Sequence, residues 1–540
     1  MADAAFDYII VGAGTAGCIL AARLSEKPQN RVALIEAGGT DRSLVFRVPM
    51  GFIRTYYDPR CNYMYWSAPQ AGLDGRTIYC PRGKVQGGSG SINAMIHVRG
   101  APEDFDSWAA EGNPGWSYAD VLPVFRRIES HWAGETATHG ASGPIGVSSM
   151  RDAAHPLCDA FLAGAGELGF AENRDFNGER FAGAGIYDVN IRRGWRSSSS
   201  VEYLWPALRR HNLRLFCNTT ARRIVMDAEG RVSGLEIERE GRRETLALSG
   251  EMILTCGAVD TPKLLQLSGI GDGARSQALA LPVARHLPAV GRYLQDHLHV
   301  SFCFAANRRT LNDEVLGAFG RGRTALRYLW GRKGLMAMSV NQAGGFFAWP
   351  AEGRTAEFQL YFNPLSYRVP QDGSRRLLPD PYSGFLMGAN ACRPESRGTV
   401  ETLTPDPARA PVIDPNYLSA ERDVADAVRG ARLVRAFAAT RAIRAVTERE
   451  VLPGPEIEDE AALLAYVRAN ATSIYHLCGT ARMGGDPASS VVDHRLRAHG
   501  VVGLRIADAS VFPSITSGNI QAPVMMVAEK CADMIAEDGR

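Results

Sequence analysis

Lysine is nearly missing from this chain. Five of its 60 basic residues are lysine (Lys27, Lys84, Lys263, Lys333 and Lys530), and the rest are arginine, which a codon bias of the source genome explains. An excess of one charge sign is missing too. Sixty basic residues face 58 acidic ones, a formal net charge of +2. That removes the overall electrostatic case for a nucleic-acid partner or an acidic membrane surface. Ten cysteines occur without a CxxC pair or a regular spacing. This argues against a disulfide framework and fits a reducing compartment; no metal site is expected. No run of 18 apolar residues occurs, so no transmembrane helix is expected. The first strand-like run begins at Phe6, which leaves no room for a cleavable signal sequence. The expected location is cytoplasmic.

What the chain has in quantity is glycine, 56 residues in 540, with no three-residue period. Glycine at this level points to tight turns and close backbone approaches rather than collagen. A chain of this length buries a large core without staples. No internal repeat, low-complexity tract or linker divides it.

The most informative stretch comes first. Residues 6–11 (FDYIIV) read as a buried strand, followed by Gly12-Ala-Gly14-Thr15-Ala16-Gly17 and a helical stripe of Ala16, Ile19, Leu20 and Leu24. Residues 31–36 (RVALIE) form a second strand, completing a βαβ unit. In G-x-G-x-x-G the first glycine permits the tight turn, the second lets backbone approach a pyrophosphate, and the third lets helix and strand pack closely. The helix N-terminus offers free N–H groups to phosphate. Glu36, 19 residues after Gly17, can accept from ribose hydroxyls and would repel a 2′-phosphate. The motif alone leaves FAD and NAD open.

Further on, residues 41–80 are aromatic and weakly periodic, and read as loops. Residues 212–255 carry four strand-like runs around an Ala228-Glu229-Gly230 turn. GGFFAW and EFQLYF, within 340–365, are strand candidates. Residues 421–442 form an amphipathic helix, and a last helix begins near Pro523. The pieces interleave.

Ordered motifs run through the whole chain. They are Gly83-Lys84-Val-Gln86-Gly87-Gly88-Ser89-Gly90-Ser-Ile92-Asn93, Gly257 to Gly271, Leu294-Gln-Asp-His297, Ser396 to Val400, Asp414 to Leu418, Tyr475-His476 to Gly484, Ala507-Asp508-Ala509-Ser510, and Gly518-Asn519-Ile520-Gln521-Ala-Pro523. With these motifs the sequence resembles the glucose–methanol–choline (GMC) oxidoreductases from residue 6 to about 535, nearest their bacterial choline, alcohol and sorbose dehydrogenase branch.

The resemblance implies an α/β fold (α+β overall). A Rossmann-like FAD-binding domain (1–40, 81–150, 213–300 and 490–540) would interleave with a substrate domain (41–80, 151–212 and 301–489) that contains an antiparallel sheet and helices. It implies FAD contacts at Gly12, Gly14, Thr15, Ala16, Gly17, Glu36, Ala37, Gly83, Lys84, Gly87, Gly88, Ser89, Asn93, Ala94, Ile96, Ala221, Asp508, Ala509, Asn519 and Ile520. The C-terminal helix would aim its N-terminus at the flavin, where its dipole favours negative charge. Some relatives attach FAD through a histidine at the position of Ile92. A hydrocarbon side chain cannot form that bond, so FAD is expected to be non-covalent.

Oxidising an alcohol removes a hydroxyl proton and an α-hydride. Flavin N5 takes the hydride, and a base usable near neutral pH takes the proton, a role histidine fits. The resemblance assigns that role to His476 with Asn519 beside it, and keeps His297 structural. The expected partners are a small alcohol and an electron acceptor, oxygen or a quinone. Hydroxynitrile-lyase-like activity, fatty-acid photodecarboxylation and a non-catalytic FAD protein are the alternatives on the same fold. Gln86, Gly90, His97, Leu477, Cys478, Ile520 and Gln521 depart from the family pattern around the site, so the pocket is expected to differ. The aromatics of 41–80 and 340–365 are candidates for its wall.

Overall fold

The computed structural model describes residues 5–350, 355–368 and 377–539, without the side chains of 318 and 319. Residues 351–354 of the 340–365 segment therefore lie outside the described residues.

In chain order, the principal elements are β1 (Phe6–Val11), α1 (Thr15–Leu24), β2 (Val32–Ile35), β3 (Gly183–Ile186), β4 (Leu213–Phe216), β5 (Thr219–Met226), β6 (Val232–Arg239), β7 (Arg242–Leu254), α2 (Gly257–Leu267), β8 (Leu298–Ala306), α3 (Ala318–Gly331), β9 (Ala343–Phe347), β10 (Phe358–Asn363), β11 (Gly384–Ala391), α4 (Glu421–Ala439), β12 (Thr447–Leu452), β13 (Thr472–Ser473), β14 (Leu504–Ile506) and α5 (Gln521–Asp538). The 41–80 segment holds two single-turn helices, Leu44–Arg47 and Phe52–Thr55, and a two-residue strand pair. These are too short for periodicity to reveal.

Two seven-stranded sheets organise the molecule. In the first, β4, β2, β1, β7 and β14 pair in parallel. The antiparallel meander β5–β6–β7 branches from it, because the 13-residue β7 pairs with β6 along its first half and with β1 and β14 along its second. All four residues of β2 are buried, as a central parallel strand covered on both faces requires. Helices α1 and α5 pack together over this sheet, tied by Arg23 to Glu529 and Asp533, and Arg127 from the helix Tyr118–Ile128 binds the same two acids.

The second sheet, in order β12-β8-β11-β10-β9-β3 with β13 on β8, is antiparallel throughout. Side chains alternate between faces along each strand. One face therefore carries Phe302, Phe304, Phe385, Met387, Phe358 and Phe362, all buried in the second core under α4 and its neighbours. The opposite face carries His299, Ser301, Cys303, Tyr361, Asn363 and Leu386, which wall the cavity described below.

The packing cuts the chain in its own way. Tyr203, Leu204 and Ala207 join the first core, although the boundary drawn from sequence falls at 213, and Met95, Ile96 and Val98 join the second.

A buried charged cluster binds segments 95–99, 129–140 and 173–190. Glu129 accepts from Arg99 (2.5 Å), His139 (2.7 Å) and His97 (3.2 Å), and His139 also meets Asp175 at 2.7 Å. The rings of His131 and His139 stack at 3.6 Å. Imidazole lone pairs lie in the ring plane, and here the two planes are stacked within 12° of parallel, so the lone pairs do not converge on one metal ion. His97 lies in this cluster, held by Glu129 and Asn190, and not in the cavity wall.

Burial opposes the charge on His139, but Asp175 and Glu129 outweigh it and push its pKa up to about 9. A raised histidine stabilises the fold fully below its unfolded value of 6.5, and that contribution is lost as pH rises through about 9. Glu129→Gln leaves the partner cations without their anion, with an expected cost of about 3–5 kcal/mol. Thermal melts should show a larger loss near pH 6.5 than above pH 9. Equal losses at both would contradict this assignment.

Candidate active site

A connected cavity of about 2270 Å³ runs from the first βα turn to the polar face of the antiparallel sheet. Gly12 lies at φ +101°, and a Cβ there would sit 2.6 Å from the Thr255 carbonyl oxygen. A Cβ on Gly17 would sit 1.9 Å from the Gly12 oxygen, so this glycine permits the approach of helix to strand. Gly14 is different: its nearest such neighbour is 3.7 Å away and it faces the cavity, so bare backbone is left there for something outside the chain. Gly14 also caps α1 without a side-chain hydrogen bond. The first-turn N–H groups and the helix dipole are thus free for an anion.

Glu36 accepts from Ala13 N at 2.9 Å and Gly38 N at 2.8 Å. Burial pushes its pKa up to about 7, against those two backbone bonds. Each oxygen keeps a lone pair for a ribose hydroxyl. Asp508, also pushed up by burial, accepts from Gly257 N (2.8 Å), Thr261 Oγ1 (2.7 Å) and Ser510 N (2.7 Å), tying the start of α2 to the turn after β14. Of the residues singled out as cofactor contacts, Gly17 and Gly87 sit behind the wall and the others line the cavity. Lys84 lies over the Tyr63 ring and lowers the pKa of Glu36 electrostatically. A long channel with bare backbone at a helix N-terminus and a carboxylate at the end of the neighbouring strand β2 fits a dinucleotide.

His476 and Asn519 meet at the other end of that channel, 3.2 Å apart between Nε2 and Nδ2. The proton positions follow from one carbonyl. Cys392 O, which only accepts, lies 2.9 Å from His297 Nε2, so Nε2 carries the proton. His297 Nδ1 is then a lone pair, and His476 Nδ1, 2.9 Å away, must donate to it. His476 Nε2 is left unprotonated and accepts from the Asn519 amide. Gln359 donates to Asn519 Oδ1 at 3.3 Å, which orients that amide. Burial pushes His297 down to about 4 and His476 well below the usual imidazole value, with His297 and Arg82 adding to the latter. Both rings are therefore neutral near pH 7.

The Leu294-Gln-Asp-His297 motif supplies this arrangement. Gln295 exchanges backbone bonds with Cys478 and holds Pro513 O and Ile515 N. Asp296 accepts from His476 N (2.7 Å), Ser473 Oγ (2.5 Å) and Tyr417 Oη (2.5 Å). Sequence reading gave His297 a structural role; its place against the His476 ring makes it a positioning residue. The motif was the available signal, but its partner is 179 residues away.

Arg196 was also not singled out. It is buried, donates to Asn93 Oδ1 (2.6 Å) and Asn93 O (2.8 Å), and makes no ion pair with a described residue. Burial lowers its pKa to about 9. The departures at Gly90 and Gln521 explain each other. A Cβ on Gly90 would lie 2.7 Å from Thr15 Oγ1 and 2.9 Å from Gln521 Nε2, so the longer amide fills the room the glycine leaves.

Beyond His476 the wall is rich in tyrosine, with the Arg368–Asp380 pair among its charged members. Tyr56, Tyr57, Tyr79 and Tyr475 pack edge-on or stacked at 4.6–5.6 Å. On the sheet face, His299 Nδ1, Tyr361 Oη and Asn363 Oδ1 are buried with no hydrogen-bond partner among the described residues. The buried carboxylates of the wall are committed: Asp260 to Tyr65 and Lys263, Asp380 to Arg368, and Glu36 and Asp508 as described.

Models of the family described as GMC oxidoreductase match residues 6–299 and 394–528. The chain is 37% identical to an oxygen-dependent choline dehydrogenase of Photobacterium profundum, covering 98% of this chain and 93% of that protein. It is 35% identical to an alcohol dehydrogenase [acceptor] of Pseudomonas putida, covering 98% and 95%. Its structure superposes on pyridoxine 4-oxidase from Mesorbium loti with a TM-score of 0.88 at 28% identity, covering 98% and 99%.

Histidines held neutral by burial make the fold acid-sensitive. His297 and His299, both pushed down to about 4, bind protons in the unfolded chain below 6.5 but not in the folded one. Their contribution is present above 6.5 and is lost as pH falls toward 4. In thermal melts, His297→Asn should flatten that acid limb. An unchanged limb would mean that His297 is charged in the fold.

Proposed function

The chain belongs to the GMC oxidoreductase family, and from that premise we propose that it oxidises a neutral alcohol to an aldehyde or ketone, with His476 Nε2 as the proton acceptor. FAD is its cofactor, and when bound it supplies the acceptor for the hydride leaving carbon. The observation that supports the reading most directly is the ordered series Cys392 O, His297, His476, Asn519, which leaves one unprotonated nitrogen facing the cavity.

A substrate hydroxyl entering between His476 and Asn519 exchanges one hydrogen bond for two. It donates to Nε2 and accepts from the Asn519 amide, an orientation that holds the α-carbon toward the cofactor end of the channel. The buried, depressed imidazole is a ready but weak base. Proton transfer to it accompanies loss of the hydride rather than preceding it as a free alkoxide. Among the described residues the committed carboxylates leave no buried acid for a cationic head group, and the polar atoms of the sheet face that have no described partner suit a neutral, hydroxyl-bearing substrate. Oxygen and a quinone are the two acceptors to compare, by turnover in air against turnover with a dye under nitrogen.

His476→Ala should slow anaerobic bleaching of the flavin by roughly 10²–10⁴-fold while FAD stays bound. Bleaching at the wild-type rate would remove His476 from its role. Ile92 lines the cavity with a hydrocarbon side chain. Acid denaturation should accordingly release all the yellow colour into the supernatant, and flavin retained in the pellet would show a covalent link elsewhere.

A further inference from the structure

Helix α3 exposes what folded chains usually cover. Leu326, Leu329 and Trp330 are 59%, 76% and 91% exposed, and their i, i+3, i+4 spacing puts them on one stripe. The opposite side of the helix is the anchored one. Thr324 and Tyr328, also four residues apart, are buried there. The Tyr328 hydroxyl donates to Gly194 O at 2.9 Å, and its ring meets Trp195 edge-on at 5.7 Å. The apolar stripe is thus a fixed feature of a held helix.

Its charge is as one-sided as its hydrophobicity. Residues 317–334 contain Arg321, Arg323, Arg327, Arg332 and Lys333 and no acid, in a chain whose net charge is +2. None of the five makes an ion pair with a described residue. Arg323 and Arg327 run beside the stripe. A second copy of this chain would bring five like charges against five, and a water-soluble acidic partner would leave the tryptophan unmatched. An anionic lipid surface satisfies both halves: headgroups meet the cations, and Trp330, Leu326 and Leu329 enter the acyl boundary.

The position within the fold fits this occupant. Past α3 the chain turns at Leu335–Ala337, packs against Pro49–Gly51, and then contributes Val340 and Asn341 to the cavity wall, where Phe52 also lies. The chain running on from the exposed helix therefore enters the cavity wall within about two turns of its end, at Val340 and Asn341. We propose that α3 is an interfacial docking element that seats the protein on an anionic lipid surface with its substrate cavity beside the bilayer, where apolar alcohols and lipid-soluble acceptors partition. No helix among the described residues is long and apolar enough to cross a membrane, so this docking is peripheral. It stands apart from the reaction proposed above, since binding is read without turnover.

The test is cosedimentation of the FAD-loaded protein with vesicles of phosphatidylcholine alone and with about a third phosphatidylglycerol. Partition onto the anionic vesicles should exceed that onto the neutral ones by about tenfold and fall in high salt. L326S/L329S/W330S and R323Q/R327Q/K333Q should each lose about tenfold in partition, with dye-linked turnover in solution unchanged. Wild-type partition that ignores lipid charge, or variants that bind as well as wild type, would overturn the proposal. A concentration-dependent dimer that L326S/L329S/W330S dissolves, without vesicle binding, would overturn it in favour of a second copy.

Discussion

One acceptor fixes the proton positions of the candidate site. The Cys392 carbonyl cannot donate, so the His297 nitrogen facing it must. Every proton further along is then set in turn, as far as the lone pair on His476 Nε2. A histidine by itself has two tautomers of similar energy. Here a backbone group on the strand-end segment after β11 chooses between them. The surroundings cooperate, because burial keeps both rings neutral and a charged His297 would have to donate from both nitrogens.

That constraint explains the architecture around it. The antiparallel sheet carries Cys392 just beyond β11 and presents Gln359 and Tyr361 from β10. Asp296 and His297 sit at the start of β8, and Asn519 just before α5. The parallel sheet holds the cofactor end, where its βα turn exposes bare backbone. The two sheets are different answers to different needs: one offers a helix N-terminus to phosphate, the other a wall of alternating side chains whose polar face looks into the cavity. The LQDH motif joins them, since Gln295 ties the loop before Asn519 while Asp296 and His297 hold His476.

Much of this was legible early. The βα turn was readable because Gly12, Gly14, Gly17 and Glu36 act within one supersecondary unit, where spacing along the chain is spacing in space. The strands of the meander and helix α4 were readable from period alone. The single-turn helices of 41–80 were not, because one turn has no period. His97 stood only as a departure from the family pattern around the site; it belongs to a buried charged cluster, since only the fold shows that Glu129 and Asn190 reach it. The exposed stripe of α3 was hidden by averaging: a net charge of +2 conceals five cations in one segment.

The sequence by itself determined the family resemblance, the dinucleotide turn and the candidates His476 and Asn519, because each is carried by short motifs whose residues are adjacent along the chain. The tertiary structure alone decided which nitrogen of His476 keeps a free lone pair, how Gly90 and Gln521 fit each other, and which face of α3 is bare. Each of these depends on atoms brought together from distant segments. A hydrogen bond between residues 179 apart leaves no local pattern, and burial is a property of the neighbours rather than of the residue.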